Sequence, residues 1–206
     1  NLARGEDTFK NLVSFSSPAK GRSLYAKKNF SDEHKWNQLD FANGDINTSL
    51  VKTQLGRTIM IQWDETSPRP YTRHNLIQGT LGTLAGFPTR VAREGGVEGV
   101  TKDHHRWVQG EQLQLLYEKY DHPLYTRLNA STKKSGHGGM DGIMMYRIVE
   151  CLQKGQPLDQ NVYEGALWSV VGPLSAVSIA QEGMPQKFPD FTRGEWNKTS
   201  PLEIVK

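Results

Sequence analysis

Apolar positions recur with two different periods along the chain. In the first half they form short runs that read as strands: Phe9–Ser16 (FKNLVSFS), Ser49–Leu55 (SLVKTQL) and Thr58–Asp64 (TIMIQWD). Gly56-Arg57 separates the last two, and a two-residue loop with glycine first predicts a type II′ hairpin. Within the second run Ile59, Ile61 and Trp63 share one face, and Met60, Gln62 and Asp64 share the other. That alternation predicts one buried face and one mixed face. Ser67-Pro68-Arg69-Pro70 ends the pairing, because neither proline can donate to a ladder. His74–Thr80 and Thr83–Phe87 read as another hairpin, and residues 88–106 as a surface connection.

In the second half the period becomes helical. Gln109–Tyr120 is amphipathic, and His122-Pro123 starts a short helix over Leu124–Asn129. Ser135–Gly183, the stretch around which the chain is organised, reads as two helices joined by a turn. Met140, Ile143, Met144, Ile148, Cys151 and Leu152 line one face of the first, which stops at Gly155 and Pro157. Asn161 and Glu164 have capping-box spacing, and Val162, Ala166, Val170, Leu174 and Val177 carry the second stripe, with a kink expected at Pro173. Residues 17–47 read as a partly helical excursion pinned by aromatics, and Phe188 to Lys206 as a tail over the surface. Strands followed by helices predict an α+β fold, an open, mostly antiparallel sheet with helices packed on one face.

Composition narrows the partners. A 206-residue chain is long enough for one domain or a large piece of one. A hydrophobic content of 36% and mean hydropathy of -0.62 fit a soluble protein with long polar connections. No run approaches the roughly 20 apolar residues of a bilayer span, and no signal-peptide apolar region opens the chain. Asn1 is not an initiator methionine, so the natural N-terminus and any address signal are expected upstream; cytoplasm, periplasm and secretion all stay open. A net charge of +3, from 25 basic and 22 acidic residues in scattered positions, argues against nucleic acid. The single cysteine, Cys151, permits no internal disulfide and reads as inert core. Met144, Met145 and Trp168 read as core or sheet-facing contacts. Asp103-His104-His105 is not expected to hold a metal, since adjacent histidines rarely converge on one ion.

One loop carries candidate chemistry on its own terms. Gly136-His137-Gly138-Gly139 brings an imidazole to a helix N-terminus, where a neutral ring is placed to accept a proton; the bland alternative is a loop-capping histidine. Asp141 reads either as a ligand group or as a first-turn residue complementing the helix dipole, and Tyr163 as packing.

Two stretches resemble the C-terminal domain of the Gfo/Idh/MocA oxidoreductases: Ile77–Leu84 (IQGTLGTL), similar to its strand–Gly–turn–Gly–strand signature, and Asp141–Gly183, similar to its closing helical pair. Asn47–Gly56 (NTSLVKTQLG), Ser67–Tyr71 (SPRPY), Gly136–Asp141 (GHGGMD), Pro157–Tyr163 (PLDQNVY) and Pro189–Gly194 (PDFTRG) resemble glycoside hydrolase family 109, which includes NAD-dependent α-N-acetylgalactosaminidases. The resemblance implies oxidation of a sugar C3 hydroxyl, elimination across C2, addition of water and re-reduction. It implies Tyr71 and His74 as catalytic groups; His137 joins them as a catalytic candidate from its own loop, and Arg69 and Asp141 are the substrate-binding candidates, Arg69 for its forked donors. Each has a plain reading beside it, as a surface, strand or solvated residue. Tyr71 and His74 lie three positions apart, so a regular strand would send them to opposite faces and their convergence requires an irregular segment.

The resemblance also implies a Rossmann domain holding NAD. No strand here leads into G-x-G-x-x-G, so that domain is expected to be absent, leaving residues 1–194 as a substrate-binding and oligomerisation domain and 195–206 as a tail. No cofactor is expected in this chain alone, nor catalysis by it alone. A carbohydrate substrate and a homo-oligomer through the open sheet face are the implied partners. Rival readings are a non-catalytic carbohydrate-binding or oligomerisation module, and a sugar dehydrogenase domain without glycosidase activity.

Overall fold

The computed structural model describes residues 7–199. In chain order they form β1 (Phe9–Ser16), α1 (Gly21–Asn29), β2 (Ile46–Thr53), β3 (Thr58–Asp64), β4 (Leu76–Gly79), β5 (Gly82–Ala85), β6 (Arg90–Arg93) and β7 (Val108–Gln109). There follow α2 (Gln114–Tyr120), α3 (Pro123–Thr132), α4 (Met140–Lys154), α5 (Val162–Ser169), α6 (Val171–Ala180) and β8 (Gln186–Lys187). The fold is α+β with antiparallel strands, in two four-stranded sheets ordered β3-β2-β1-β8 and β4-β5-β6-β7. The described residues divide into two compact units: 7–68 with 155–199, which holds the first sheet, and 69–154, which holds the second. The Ser135–Gly183 helical stretch is thus shared between them, parting at Gly155.

In the first unit the alternation that matters lies on β1 and β2. Leu12 and Ser14 face the helices, paired in register with Val51 and Ser49, and Leu12, Val51 and Phe188 form the core beneath Leu167, Val170, Val171 and Leu174. Phe188, read as surface tail, is core because Gln186–Lys187 pairs with β1 and draws it in. The buried face predicted for β3 is absent: β3 is an edge strand, and Ile59, Ile61 and Trp63 all stay exposed. The β2–β3 connection is also longer than predicted, spanning Gln54 to Arg57. Gly56 donates to the Thr53 carbonyl at 3.2 Å with φ +93°, a turn-closing position that favours glycine.

A small polar seam fastens α6 to β1. The Ser14 N–H, beyond the reach of two-residue β8, donates to Ser178 Oγ at 2.9 Å, and Ser178 donates in turn to the Met184 carbonyl at 2.9 Å. Ser14 Oγ lies 2.6 Å from Ser49 Oγ, which lies 3.0 Å from Ser175 Oγ. Val162–Ala180 covers 19 residues at a mean hydropathy of 1.2, long and apolar enough by length and composition to cross a bilayer, contrary to the expectation of no such run. A turn residue at Val170 (ψ -11°) divides it into α5 and α6, and Ser175 and Ser178 hydrogen-bond to the sheet. The break precedes the expected site at Pro173. Restarting at Val171 places Pro173 in the first turn of α6, where a missing N–H costs no hydrogen bond.

The excursion after β1 holds α1 and a turn in which Phe30 packs on Tyr25, His34 and Trp36. At α5 both capping-box bonds form between Asn161 and Glu164.

In the second unit, residues 88–106 are more than a surface connection. β6 pairs with β5, and Val97 joins Val108 and Leu113 in a core flanked by Val91, Val100 and Leu116. The amphipathic run predicted from Gln109 starts as the end of β7 and a short 3-10 turn, and becomes α2 only at Gln114. On α4, Cys151 is fully buried, but Met144 and Met145 are exposed, as is Trp168 on α5 in the first unit, so the core reading of those three is corrected. The buried line on α4 runs through Arg147 and Cys151. Arg147 is satisfied there by Glu150, whose carboxylate also accepts Lys154 Nζ at 2.8 Å.

Candidate functional site

The segment between β3 and β4 contains no regular structure, and its composition explains why. Two prolines remove ladder donors and hold the residues before them extended. His74 follows at φ +47°, a left-handed conformation that a non-glycine residue adopts at a cost. The strand therefore begins at Leu76 rather than at His74 as predicted, and the irregularity that the Tyr71–His74 spacing demanded is present.

Around this bend the side chains sort into two groups. Arg69 Nη1 lies 2.9 Å from His74 Nε2; a guanidinium can only donate, so Nε2 is the acceptor and the imidazole proton sits on Nδ1. The His74 N–H donates to Thr72 Oγ1 at 3.1 Å. Tyr71, 70% exposed, instead meets Arg73 and Phe87. Its ring stands edge-on to Phe87 at 5.2 Å and 86°, and its Oη accepts from Arg73 Nε at 2.7 Å. Phe87, with Asn75, Ile77, Leu84 and Pro88, lines an open hollow of about 410 Å³. That volume, mostly apolar with a few polar groups, lies within the range of small-molecule pockets.

His137 and Asp141 form the third group, at the start of α4. Both carboxylate oxygens lie 3.0 Å from His137 Nδ1; an ionised carboxylate can only accept, so Nδ1 carries the proton. Asp141 stands in the first turn of α4, one of the two readings made of it, and its carboxylate also orients the imidazole. The backbone is built for the pair. His137 sits at φ +45° among glycines, and a Cβ on Gly136 (φ +93°) would stand 2.5 Å from Asp141 Oδ2. A Cβ on Gly142 would strike Thr132 and Ser135, so glycine there lets α4 begin tight against the end of α3.

Arg69 and His74 are thus brought together, as are His137 and Asp141. Among the described residues, neither Tyr71 nor His74 makes a hydrogen bond, ion pair or ring contact with His137 or Asp141. Sequence reasoning missed Arg73 and Phe87. Arg73 reads as one more scattered cation until the bend is known, and Phe87 as the end of a strand that in fact stops at Ala85. Tyr163, read as packing, is half exposed and lines a hollow of about 400 Å³ in the first unit with Trp168, Phe191 and Trp196. Among the described residues no cluster of three or more His, Cys, Asp or Glu side chains is gathered as a metal would require.

Comparison with known proteins supplies the family. The model of "Glycosyl hydrolase 109, C-terminal domain" matches residues 1–198. Over its whole length the chain is 63% and 61% identical to "Glycosyl hydrolase family 109 protein 1" and "protein 2" of Akkermansia muciniphila, and 53% identical to a family 109 protein of Shewanella amazonensis. It covers 43%, 43% and 44% of those proteins, less than half of each. The chain therefore belongs to the glycosyl hydrolase 109 C-terminal domain family.

Proposed function

We propose that this chain is the substrate-binding part of an NAD-dependent glycosidase acting on α-N-acetylgalactosaminides by oxidation at C3, elimination across C2, hydration and re-reduction. The observation that carries the reading is the character of the proton-transfer groups on the 69–154 unit. They are a phenol with its oxygen held by a cation, and an imidazole on left-handed backbone oriented by a carboxylate; neither is one of the paired carboxylic acids that ordinary glycosidases use. Elimination needs a base for an acidified C–H and proton relays at hydroxyl oxygens, which these groups can supply. Tyr71 Oη serves as proton donor and acceptor at a sugar hydroxyl, and His137 Nε2, with its proton held on the opposite nitrogen by Asp141, as a base. Arg69, hydrogen-bonded to His74, is the cation proposed to hold a hydroxyl or acetamido oxygen.

In this reading the dinucleotide cradle is not built by the described residues. Their strands pair antiparallel, and Gly136–Gly139 follows a polar turn rather than a strand. NAD, in this reading, is held by protein outside the chain and supplies reversible hydride removal at the sugar. Self-association through the open face of the first sheet, where Phe15, Leu50 and Met60 are exposed, completes the proposal.

The test is cleavage of an aryl α-N-acetylgalactosaminide by the full-length gene product. Release of the aryl group should require NAD⁺, and Tyr71→Phe should lower kcat roughly 10²-fold or more, the typical share of a positioned proton-transfer group. Cleavage that ignores NAD⁺ would remove the proposal.

A further inference from the structure

Arg73 has been given no role so far, yet it makes three contacts with the Tyr71 group. Its Nε donates to Tyr71 Oη at 2.7 Å, and its guanidinium carbon lies 5.9 Å from the Tyr71 ring centroid and 5.5 Å from that of Phe87. The Tyr71 and Phe87 rings meet edge-on, so guanidinium, phenol and phenyl hold one another in a single cluster. A side chain 70% exposed would otherwise sample several rotamers. We propose that Arg73 is a positioning residue that fixes the phenol of Tyr71 and the direction of its proton; this rests on the function proposed above for Tyr71.

The direction follows from donor and acceptor rules. A guanidinium has no lone pair to offer, so Tyr71 cannot donate to Arg73 and must be the acceptor. The phenolic proton is thereby turned away from Arg73, toward whatever occupies the exposed side of the ring. When the C3 carbonyl is reduced back, that proton passes to its oxygen as the C–O π pair becomes the new O–H bond, and the phenol's O–H pair stays on Oη as phenolate, facing a cation and a charge-assisted N–H. When the C3 hydroxyl is next oxidised, the phenolate takes its proton and the phenol is restored. His74 and Arg69 form a separate pair and do not supply this hold.

The experiment has two readouts on the full-length gene product. The first needs no turnover: with tyrosine labelled with 13C at Cζ, the Tyr71 resonance, assigned by its loss in Tyr71→Phe, should shift in Arg73→Met. Arg73 lies on the exposed bend, and Arg73→Lys, which keeps the charge and stem but cannot place the Nε–H, serves as the second variant and should shift it too. The second readout is a double-mutant cycle on glycoside cleavage. Arg73→Met should lower kcat about 10- to 100-fold with KM changed less than about threefold, and Tyr71→Phe/Arg73→Met should be no worse than Tyr71→Phe alone within about threefold. An unmoved Tyr71 resonance, or losses that multiply, would overturn the positioning role. A moved resonance with full turnover in Tyr71→Phe would show the hold to be real but Tyr71 to be outside the reaction, which ends both this role and the assignment on which it rests.

Discussion

His74 and His137 both stand in left-handed backbone, but their partners set them apart. A cation occupies His74 Nε2, while a carboxylate occupies His137 Nδ1, so the proposed mechanism gives the role of base to His137. The arrangement around it depends on Gly136, whose φ of +93° and ψ of 153° are open almost solely to glycine, and where a Cβ would press on the Asp141 carboxylate. Gly136→Ala is expected to destabilise the protein by about 1–3 kcal/mol and to loosen the His137–Asp141 bond, read by denaturant unfolding and by 15N shifts of the imidazole. The sequence showed that His137 sits in a glycine loop at a helix start, because that is a local fact. It could not show the Asp141 contact as a choice over solvent, because that depends on the φ values of four successive residues.

At the scale of elements, hydrogen bonds between serines do what a longer β8 would otherwise do. Ser178→Ala would leave the buried Ser14 N–H without its acceptor, and an expected loss of about 1–3 kcal/mol should appear as a lowered denaturation midpoint. Replacing Ser175, whose oxygen already bonds the Val171 carbonyl in its own helix, should cost less. On α4, Lys154 and Arg147 hold Glu150 down to a pKa of about 2 from an ordinary 4.5. A depressed carboxylate contributes stability that is present above the ordinary value and lost as pH falls through the folded one. Acid titration should therefore show a loss between about pH 4.5 and 2 that Glu150→Gln flattens.

Elements were legible where local chemistry decided them. β1 has the predicted bounds, α5 opens on the predicted box, and α4 stops at Gly155. They were misread where neighbours decided. β3 has the alternation of a half-buried strand yet lies at an edge, β6 is too short to announce itself, and Phe188 is core only because two residues before it find β1. Of the site, the prolines marked where pairing ends and the Tyr71–His74 spacing set irregularity as a condition, whereas Arg73 and Phe87 are joined by folding across a hairpin that no spacing rule reports.

At the scale of the molecule, the described residues leave apolar side chains exposed on both units: Phe15, Leu50 and Met60 on one sheet, and Met140, Met144 and Leu152 on α4. The chain also spans less than half the length of its relatives. The proposed self-association predicts that light scattering of the full-length gene product gives at least a dimer, and that Met60→Glu shifts it toward monomer; a monomer at all concentrations would count against it. The central claim, however, is the chemistry, and one measurement reaches it directly. In deuterated water, turnover of an α-N-acetylgalactosaminide by the full-length gene product with NAD⁺ should yield sugar carrying deuterium at C2, as proton removal before elimination requires. Product that keeps its original hydrogen at C2 would contradict the account.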